Sequence, residues 1–329
     1  MEMNGRKALE VLSDNKLVGI MALIIGVMAV FAPGFFSTNN IINTISYLSI
    51  NGILSIGLTL LMIGGFFDLS VGSIMGLSGA ISIITVNHFS PTVAILVGSV
   101  SGIFMGLANG LIVTKMRINS FIATLGTMIV FQGIAFSLTK TKAIISDSDA
   151  FQSFAVAKVG IIPIVIVYFA AVCLIVWFIS RFTTLGKNAY AIGGNIEACR
   201  SMGIKVDRAV LALFVLSGVC ASFGGVLLSA KIMAASGRFG ETVIMTVIAS
   251  VVLGGVHLSG GVGSIFGVVQ GILLVGLVSN ATVYLGFYDF WQAFFRSILL
   301  LLVLIVDVFS VNIMNKRLQK KELKLVMKG

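Results

Sequence analysis

Charged residues are scarce in this chain. They make up 10% of its 329 residues, whereas hydrophobic residues make up 58%. Soluble domains carry about 25% charged residues, so a chain this poor in charge cannot cover a soluble surface. Its hydrophobic runs are long, and many approach the roughly 18 residues with which a helix crosses a bilayer. These features predict an all-α polytopic membrane protein.

Cysteine, histidine and proline are also rare. The three cysteines, Cys173, Cys199 and Cys220, are isolated and show none of the paired spacings that indicate a metal site. His88 and His257 each stand alone near a predicted helix end, which is typical of surface or capping residues. The three prolines impose few kinks on the helices. We therefore predict no metal site and no cofactor bound by this chain.

Nucleotide-binding and catalytic motifs are missing as well. Gly186-Lys187 is the only Gly-Lys pair, and Arg181 stands where the first glycine of a G-x-x-x-x-G-K-[ST] motif would be. No Ser/His/Asp cluster and no histidine–carboxylate set within the hydrophobic runs indicates catalysis. The sequence thus predicts a protein that is not an enzyme and does not bind ATP by itself.

What the chain does contain is an excess of positive charge and a series of apolar windows. In a soluble protein the net charge of +10 would suggest nucleic acid as a partner, but here the positive-inside rule explains it. We predict no nucleic-acid partner. The windows predict about ten transmembrane helices, at 17–32, 41–64, 69–87, 91–114, 119–138, 161–180, 209–232, 242–255, 262–280 and 290–311.

Both termini are predicted to be cytoplasmic, because this orientation puts most of the 22 Lys and Arg residues on the inner side. The predicted organisation is a cytoplasmic segment, 1–16, a transmembrane domain, 17–311, and a basic cytoplasmic tail, 312–329. Pro33 directly after the first window makes a poor cleavage junction, so this window is interpreted as a retained span. The tail is expected either to lie on anionic lipid of the inner leaflet or to extend into solvent.

A weak internal repeat is visible in two glycine-rich segments. "GGFFDLSVGSIMG", at 64–76, is similar to "GGVHLSGGVGSIFG", at 254–267, and each follows one apolar run and opens another. Repeats of this kind are common in transporters. Chance similarity between two helix starts stays open as the alternative.

A polar island at 191–208 interrupts the apolar sequence on the predicted cytoplasmic side. Gly193 and Gly194 allow the chain to bend, and Asn195 is a good N-cap residue. Glu197 falls in the first turn, where the helix dipole favours negative charge, and Gly203 fits the position just after a helix end. The pattern predicts a two-turn helix beneath the membrane.

The surface of this short helix is predicted to be small, because Ala198 and Cys199 are small residues. Glu197-Ala198-Cys199 followed by Gly203 resembles the E-A-A…G loop of ABC importer permeases, with Cys199 where alanine is usual. The neighbouring sequence resembles the version in the ribose/xylose/arabinose permease family. This resemblance implies that the loop 181–208 carries a coupling helix, at 195–203, which docks onto an ATP-hydrolysing subunit.

A second motif, "DLSVGS", extends from Asp68 to Ser73, and the same family has D-L-S-V-G here. A carboxylate at the edge of a span is costly in hydrocarbon and is usually satisfied or functional. Asp68 or Ser70 is expected to cap the third span by accepting bonds from its free N–H groups, and the alternative is a gate that includes Gly72. Phe66 and Phe67 separate the last glycine from the aspartate, where many members have one residue.

Uncharged amides within the predicted spans are candidates for the lining of a solute path. Such groups suit a polyhydroxy ligand, and they also join helices to one another. The candidates are Asn51, Asn109, Gln132, Gln270 and Asn280.

These features predict the permease subunit of an ATP-binding-cassette importer of a simple sugar in the bacterial inner membrane. The resemblance implies a homodimer, an ATPase partner that uses the ATP, and an extracytoplasmic sugar-binding protein. Two alternatives stay open. One is a self-sufficient, ion-coupled secondary transporter, and the other is an ABC permease for autoinducer-2 or a nucleoside.

Overall fold

The structure, a computed structural model, describes residues 16–301 apart from 33, 289, 292, 293, 296, 299 and 300. The predicted tail 312–329, almost all of the predicted segment 1–16 and most of the tenth predicted span lie outside the described residues. Within the described ranges the chain is mostly helical, as predicted.

Twelve helices follow one another between residues 16 and 284. They are α1 (Lys16–Phe31), α2 (Thr38–Ile63), α3 (Val71–Val86), α4 (Pro91–Lys115), α5 (Ser120–Thr139), α6 (Asp149–Val156), α7 (Ile164–Phe182), α8 (Thr184–Gly194), α9 (Ile196–Ser201), α10 (Val206–Ile232), α11 (Val243–Leu253) and α12 (Ile265–Tyr284). The two-residue strand β1 (Ile144–Ile145) pairs antiparallel with β4 (Ala234–Ala235), and β2 (Lys158–Val159) pairs with β3 (Ile162–Pro163).

Six of the described helices, α2, α4, α5, α7, α10 and α12, are long and apolar enough to cross a membrane. Three shorter helices, α1, α3 and α11, are also apolar. The first nine predicted windows each fall on one of these nine helices, with ends that differ by a few residues. The count of ten spans and the cytoplasmic termini stay predictions.

Helices α2 and α10 lie at the centre of the bundle. In α2 83% of the apolar window is buried and in α10 67%, compared with 11% in α7 at the periphery. Glycines allow neighbouring helices to approach α10 closely: a Cβ added to Gly102 of α4 would overlap the carbonyl oxygen of Gly218 of α10. Lipid gives helices no hydrophobic reason to associate, so close backbone packing of this kind stabilises the bundle.

Helices α3 and α11 are short, and a non-helical segment of the chain precedes each of them. The segment 64–70 precedes α3, and the segment 236–242 precedes α11. The two helix starts meet, since a Cβ added to Gly72 would overlap the carbonyl oxygen of Gly240. Two helix N-termini therefore lie side by side in the interior of the bundle.

The two segments of the predicted repeat share the backbone structure of a helix end. Helices α2 and α11 each end in a glycine pair whose second member has positive φ, +82° at Gly65 and +83° at Gly255. After each pair, the next residue donates its N–H to the carbonyl five residues earlier, as in a Schellman motif. The similarity of sequence thus corresponds to a similar turn, while the weak internal repeat itself stays a prediction.

Candidate coupling helix and transmembrane cavity

Helix α9 has the ends that the sequence predicts. The Asn195 side chain accepts a hydrogen bond from the N–H of Ala198 at 2.9 Å, which makes Asn195 the N-cap. Gly203 follows the helix with φ of +78°, and the N–H of Ile204 donates to the carbonyl of Cys199 at 3.0 Å. These caps satisfy both ends of a helix of only six residues, which would be marginal without them.

The predicted bend at Gly193-Gly194 is wrong. Helix α8 continues through Gly194, and the chain turns at Asn195, which has φ of −160°. Gly193 is needed for close packing instead, because a Cβ there would overlap the carbonyl oxygen of Ile63 and the N–H of Gly261. Among residues that the structure describes, no atom lies within 4 Å of a Cβ added to Gly194.

Gly193 is part of a junction at which three backbone segments meet. The N–H of Gly261 donates to the carbonyl of Ile63 at 2.7 Å, and a Cβ added to Gly260 would lie 2.8 Å from the Cα of Gly65. We call these five residues, Ile63, Gly65, Gly193, Gly260 and Gly261, the glycine junction. It joins the end of α8, next to α9, to the end of α2 and to the segment 64–70.

The exposed face of α9 differs from the predicted one. Cys199 is 1% exposed and points into the core, so it adds nothing to the surface. Ala198 is exposed, as are Met202 at 70% and the Glu197 side chain at 76%. The face open to a partner therefore combines a carboxylate, a methyl group and a thioether. One side of a six-residue helix must pack on the protein, and sequence alone does not say which.

A charged network ties α9 to its neighbours. Arg117, in the turn after α4, makes two 3.1 Å bonds to the carboxylate of Asp207 at the start of α10. Arg200 of α9 lies 3.8 Å from Asp207 and 3.5 Å from Glu197. Exposed pairs of this type contribute only about 0–1 kcal/mol each, so the network orients α9 more than it stabilises the fold. Sequence analysis did not identify Asp207.

The Asp68 carboxylate is the hub of a buried polar cluster. Asp68 is 1% exposed, and its Oδ1 accepts bonds from the N–H of Ser70 at 2.9 Å and from the Ser70 hydroxyl at 2.6 Å. The Ser217 hydroxyl donates to Oδ2 at 3.2 Å, and the Asn109 amide donates to the Ser70 hydroxyl at 2.7 Å. The segment 64–70 is thus joined to α4 and α10 around one buried carboxyl group.

The predicted role of Asp68 and Ser70 as a helix cap is wrong. Ser70 is in the N-cap position of α3, but its side chain makes no capping bond. Asp68 accepts the N–H of Ser70, which precedes the helix, and not an N–H of its first turn. The reason is tertiary, since Asn109 and Ser217 offer donors that a helix terminus alone does not provide.

The segment around Asp68 also forms a cavity wall. The N–H groups of Phe67 and Leu69 donate to the hydroxyls of Ser120 and Thr124 of α5, at 3.1 and 3.0 Å. Phe67 and Leu69 line the cavity, whereas Asp68 between them is buried in the polar cluster. This alternation is typical of extended chain, in which successive side chains point to opposite sides.

The cavity has a volume of about 530 Å³, within the range of small-molecule sites. It lies between the segment 64–70, the starts of α3 and α11, and one face of α5. Its wall is mostly apolar, and a polar pair stands in it: the Gln132 amide donates to the Glu241 carboxylate at 2.7 Å. The lining residues are Phe67, Leu69, Gly72, Ser73, Phe121, Leu125, Met128, Gln132, Gly237, Gly240, Glu241, Ile244, Met245, Ile248 and Leu258.

The structure separates the five amides that the sequence groups together. Gln132 lines the cavity, and Asn109 belongs to the Asp68 cluster. Asn280 exchanges 3.1 Å bonds with Asn40, and so joins α12 to α2 as an interhelical bond. Asn51 is buried in α2 and Gln270 is half-buried in α12, and neither belongs to the lining of this cavity.

Glu241 is the functional candidate that sequence analysis missed. The available signal was a lone carboxylate next to an unusually short apolar window, 242–255. A carboxylate in that place is expensive unless it is satisfied or functional. Its partner, Gln132, is 109 positions away, so the pair is visible only in the fold.

This arrangement of membrane-crossing helices, a capped surface helix and a cavity inside the bundle defines a multi-pass membrane permease. The chain belongs to the family described as branched-chain amino acid transport system / permease component, whose pattern matches residues 40–304. The resemblance to importer permeases is thereby confirmed. As a member of this family with membrane-crossing helices, the chain is a multi-pass inner-membrane protein.

Sugar import permeases are among the relatives of this chain. The ribose import permease protein of Bacillus subtilis is 34% identical over 293 residues, which are 88% of this chain and 91% of the relative. The galactose/methyl galactoside import permease protein of Haemophilus influenzae is 30% identical over 321 residues, or 92% and 96%. The L-arabinose transport system permease protein of Escherichia coli is 33% identical over 293 residues, or 88% and 89%. No solved structure matches the chain.

Proposed function

We propose that this chain is the permease subunit of an ATP-binding-cassette importer that carries a simple sugar or a sugar-like solute across the inner membrane. The observation that carries the proposal is its similarity to ribose, galactose and arabinose permeases over nearly its whole length. In this proposal two copies form the solute path, a separate ATPase subunit uses ATP, and an extracytoplasmic binding protein delivers the solute.

Helix α9 is the proposed contact with the ATPase subunit. Its exposed face, with Glu197, Ala198 and Met202, is compact and is oriented by caps and by the charged network. A short helix that is held at both ends moves as a unit when a partner pushes on it. This property supports the coupling role that the sequence motif implies for 195–203.

Two routes lead from α9 to the cavity wall. The first goes through the glycine junction, where Gly193 touches the end of α2 next to the segment 64–70. The second goes through Arg200, Asp207 and Arg117 to the start of α5, where the Ser120 hydroxyl holds Phe67. A displacement of α9 would thus shift the wall that Phe67 and Leu69 form. We propose that this is how ATP hydrolysis changes access to the cavity.

Uptake into proteoliposomes tests the proposal. The chain is reconstituted with its ATPase subunit and binding protein, and uptake of D-ribose, D-galactose, D-allose and L-arabinose is measured with and without ATP. We expect ATP-dependent uptake of at least one of these sugars, and none from an ion gradient alone. Uptake that an ion gradient drives without the ATPase, or an outward-facing segment 195–203, would contradict the proposal.

A further inference from the structure

The pair of Gln132 and Glu241 lies far from both ends of α5. Gln132 is twelve residues beyond Ser120, the first residue of α5, which places it about 18 Å along a helix of roughly 30 Å. Glu241 precedes α11, whose start touches the start of α3 at the contact between Gly240 and Gly72. The pair is therefore near the level at which the two short helices begin, far from either end of α5.

The surroundings of this pair are not compatible with lipid. Ionised and strongly polar side chains are expensive in hydrocarbon and face a cavity or a partner when they occur at such depth. Glu241 is exposed on the surface of the single chain, and it lines the cavity together with apolar residues such as Phe121 and Met128. The side of the bundle that carries the cavity must therefore contact water, solute or a second subunit.

Glu241 precedes the start of α11 and follows Gly240, which touches Gly72 at the start of α3. Ser70 and Thr242 are the N-cap residues of α3 and α11, and the side chain of neither makes a capping bond. Free N–H groups at a helix start carry partial positive charge, which favours a nearby carboxylate. With Glu241 in place, the cavity has its own anion, so a further negative charge is disfavoured and a neutral hydrogen-bond donor is favoured.

We propose that Gln132 and Glu241 are the specificity-determining contact of the solute path and recognise adjacent hydroxyl groups of a neutral polyhydroxy solute. One carboxylate oxygen of Glu241 accepts the Gln132 amide. The second carboxylate oxygen and the amide oxygen of Gln132 then accept bonds from two hydroxyls, while Phe67 and Phe121 contact the apolar edge of the ring. This inference rests on the proposed function and adds the residues that bind the sugar during translocation.

Uptake by variants of the complete transporter tests this inference. We expect Glu241→Gln and Gln132→Leu each to lower the maximal uptake rate roughly tenfold or more, the loss expected when a charge-assisted hydrogen bond is removed. The KM for the loaded binding protein and the association with the ATPase should not change, because neither contact involves the cavity. The probe is whichever of D-ribose, D-galactose, D-allose and L-arabinose the unmodified transporter takes up fastest.

Two further variants distinguish recognition from a structural role. The exchange Gln132→Glu with Glu241→Gln keeps one carboxylate and one amide in the cavity and is expected to recover most of the uptake. Gln270→Leu removes the same amide from α12, outside this cavity, and is expected to leave uptake unchanged. Full uptake by Glu241→Gln, or equal losses in Gln132→Leu and Gln270→Leu, would overturn this inference but would not contradict the proposed function. Failure of the unmodified transporter to import any of the four sugars would overturn the proposed function together with it.

Labelling of introduced cysteines provides a test that does not depend on transport. In a variant whose three cysteines, Cys173, Cys199 and Cys220, are replaced by serine, Gln132→Cys should react with a water-soluble thiol reagent. Val130→Cys, exposed on another side of α5, should not react. Reaction at 132 but not at 130 supports an aqueous path along the pair, and the opposite pattern contradicts it.

Discussion

Two segments of this protein differ in how they are held. The segment 64–72 is mostly buried or half-buried, and its conformation depends on side-chain bonds that Asp68 accepts from residues of distant helices. The segment 193–203 lies at the surface, and its helix depends on its own caps. They meet at the glycine junction, so one segment can respond to a partner while the other shapes the cavity. From this comparison we expect that substitutions in 64–72 reduce the stability of the fold, whereas substitutions in α9 reduce only its coupling to the ATPase subunit.

The largest loss of stability is expected for Asp68→Ala. The variant leaves the donors of Ser70 and Ser217 without their acceptor, and each unsatisfied buried group costs about 1–3 kcal/mol. The melting temperature of the protein in detergent measures this loss. Asp68→Asn, which keeps the shape and one acceptor, should be less destabilised. A melting temperature of Asp68→Ala equal to that of the unmodified protein would contradict the description of the cluster.

Gly193→Val is expected to have the second-largest effect. The added side chain would overlap Ile63 and Gly261, and overpacking of this kind costs typically about 1–3 kcal/mol. Because Gly193 lies between the two segments, we expect uptake to be lost even in the fraction that stays folded. The matched control is Gly26→Val in α1, where an added Cβ meets no atom of the described residues within 4 Å. Equal melting temperatures and uptake in both variants would argue against the junction.

Asn195→Ala removes the N-cap of α9. Loss of such a cap typically costs about 1 kcal/mol of helix stability, and α9 has only six residues. We expect a partly frayed α9, with weaker ATPase binding in a pull-down and little change in melting temperature. Asn195→Asp keeps the acceptor and should bind normally. Normal ATPase binding by Asn195→Ala would show that the helix does not need its cap.

The smallest loss of stability is expected for Glu197→Lys, although its functional effect is large. The side chain is exposed and makes one ion pair with Arg200, at 3.5 Å, so the change costs about 0–1 kcal/mol. We expect normal insertion and melting temperature, and no uptake, because the face proposed to dock on the ATPase reverses its charge. Gly203 substituted by a bulky residue should also abolish uptake, but with a lower melting temperature, because φ at Gly203 is +78°. Uptake by Glu197→Lys at the normal rate would remove α9 from the coupling role.

Much of the local structure could be predicted from the sequence. The ends of nine apolar helices and both caps of α9 depend on residues within one or two turns, so a local pattern contains the necessary information. The burial of Cys199 and the role of Gly193 were not predictable in this way. Both depend on what packs against a short helix, and the contacts of Gly193 come from Ile63 and Gly261.

The candidate site shows the same limit. The sequence identifies Asp68 as a costly carboxylate and Gln132 as one of five polar side chains within spans. It does not indicate that Asp68 accepts a hydrogen bond from Ser217, 149 positions away, or that Gln132 donates one to Glu241. A short unfolded stretch of chain carries no information on which distant donor will reach it.

The sequence by itself determined that this protein lies in a membrane, where its apolar helices begin and end, and that a capped helix interrupts them. Transfer of apolar side chains from water and the capping of free N–H groups are local effects, because they depend on residues that are close together in the sequence. Only the tertiary structure decided which carboxylate is buried and which faces the cavity. That difference arises because hydrogen-bond partners and close glycine contacts come from helices that are distant in sequence and adjacent in space.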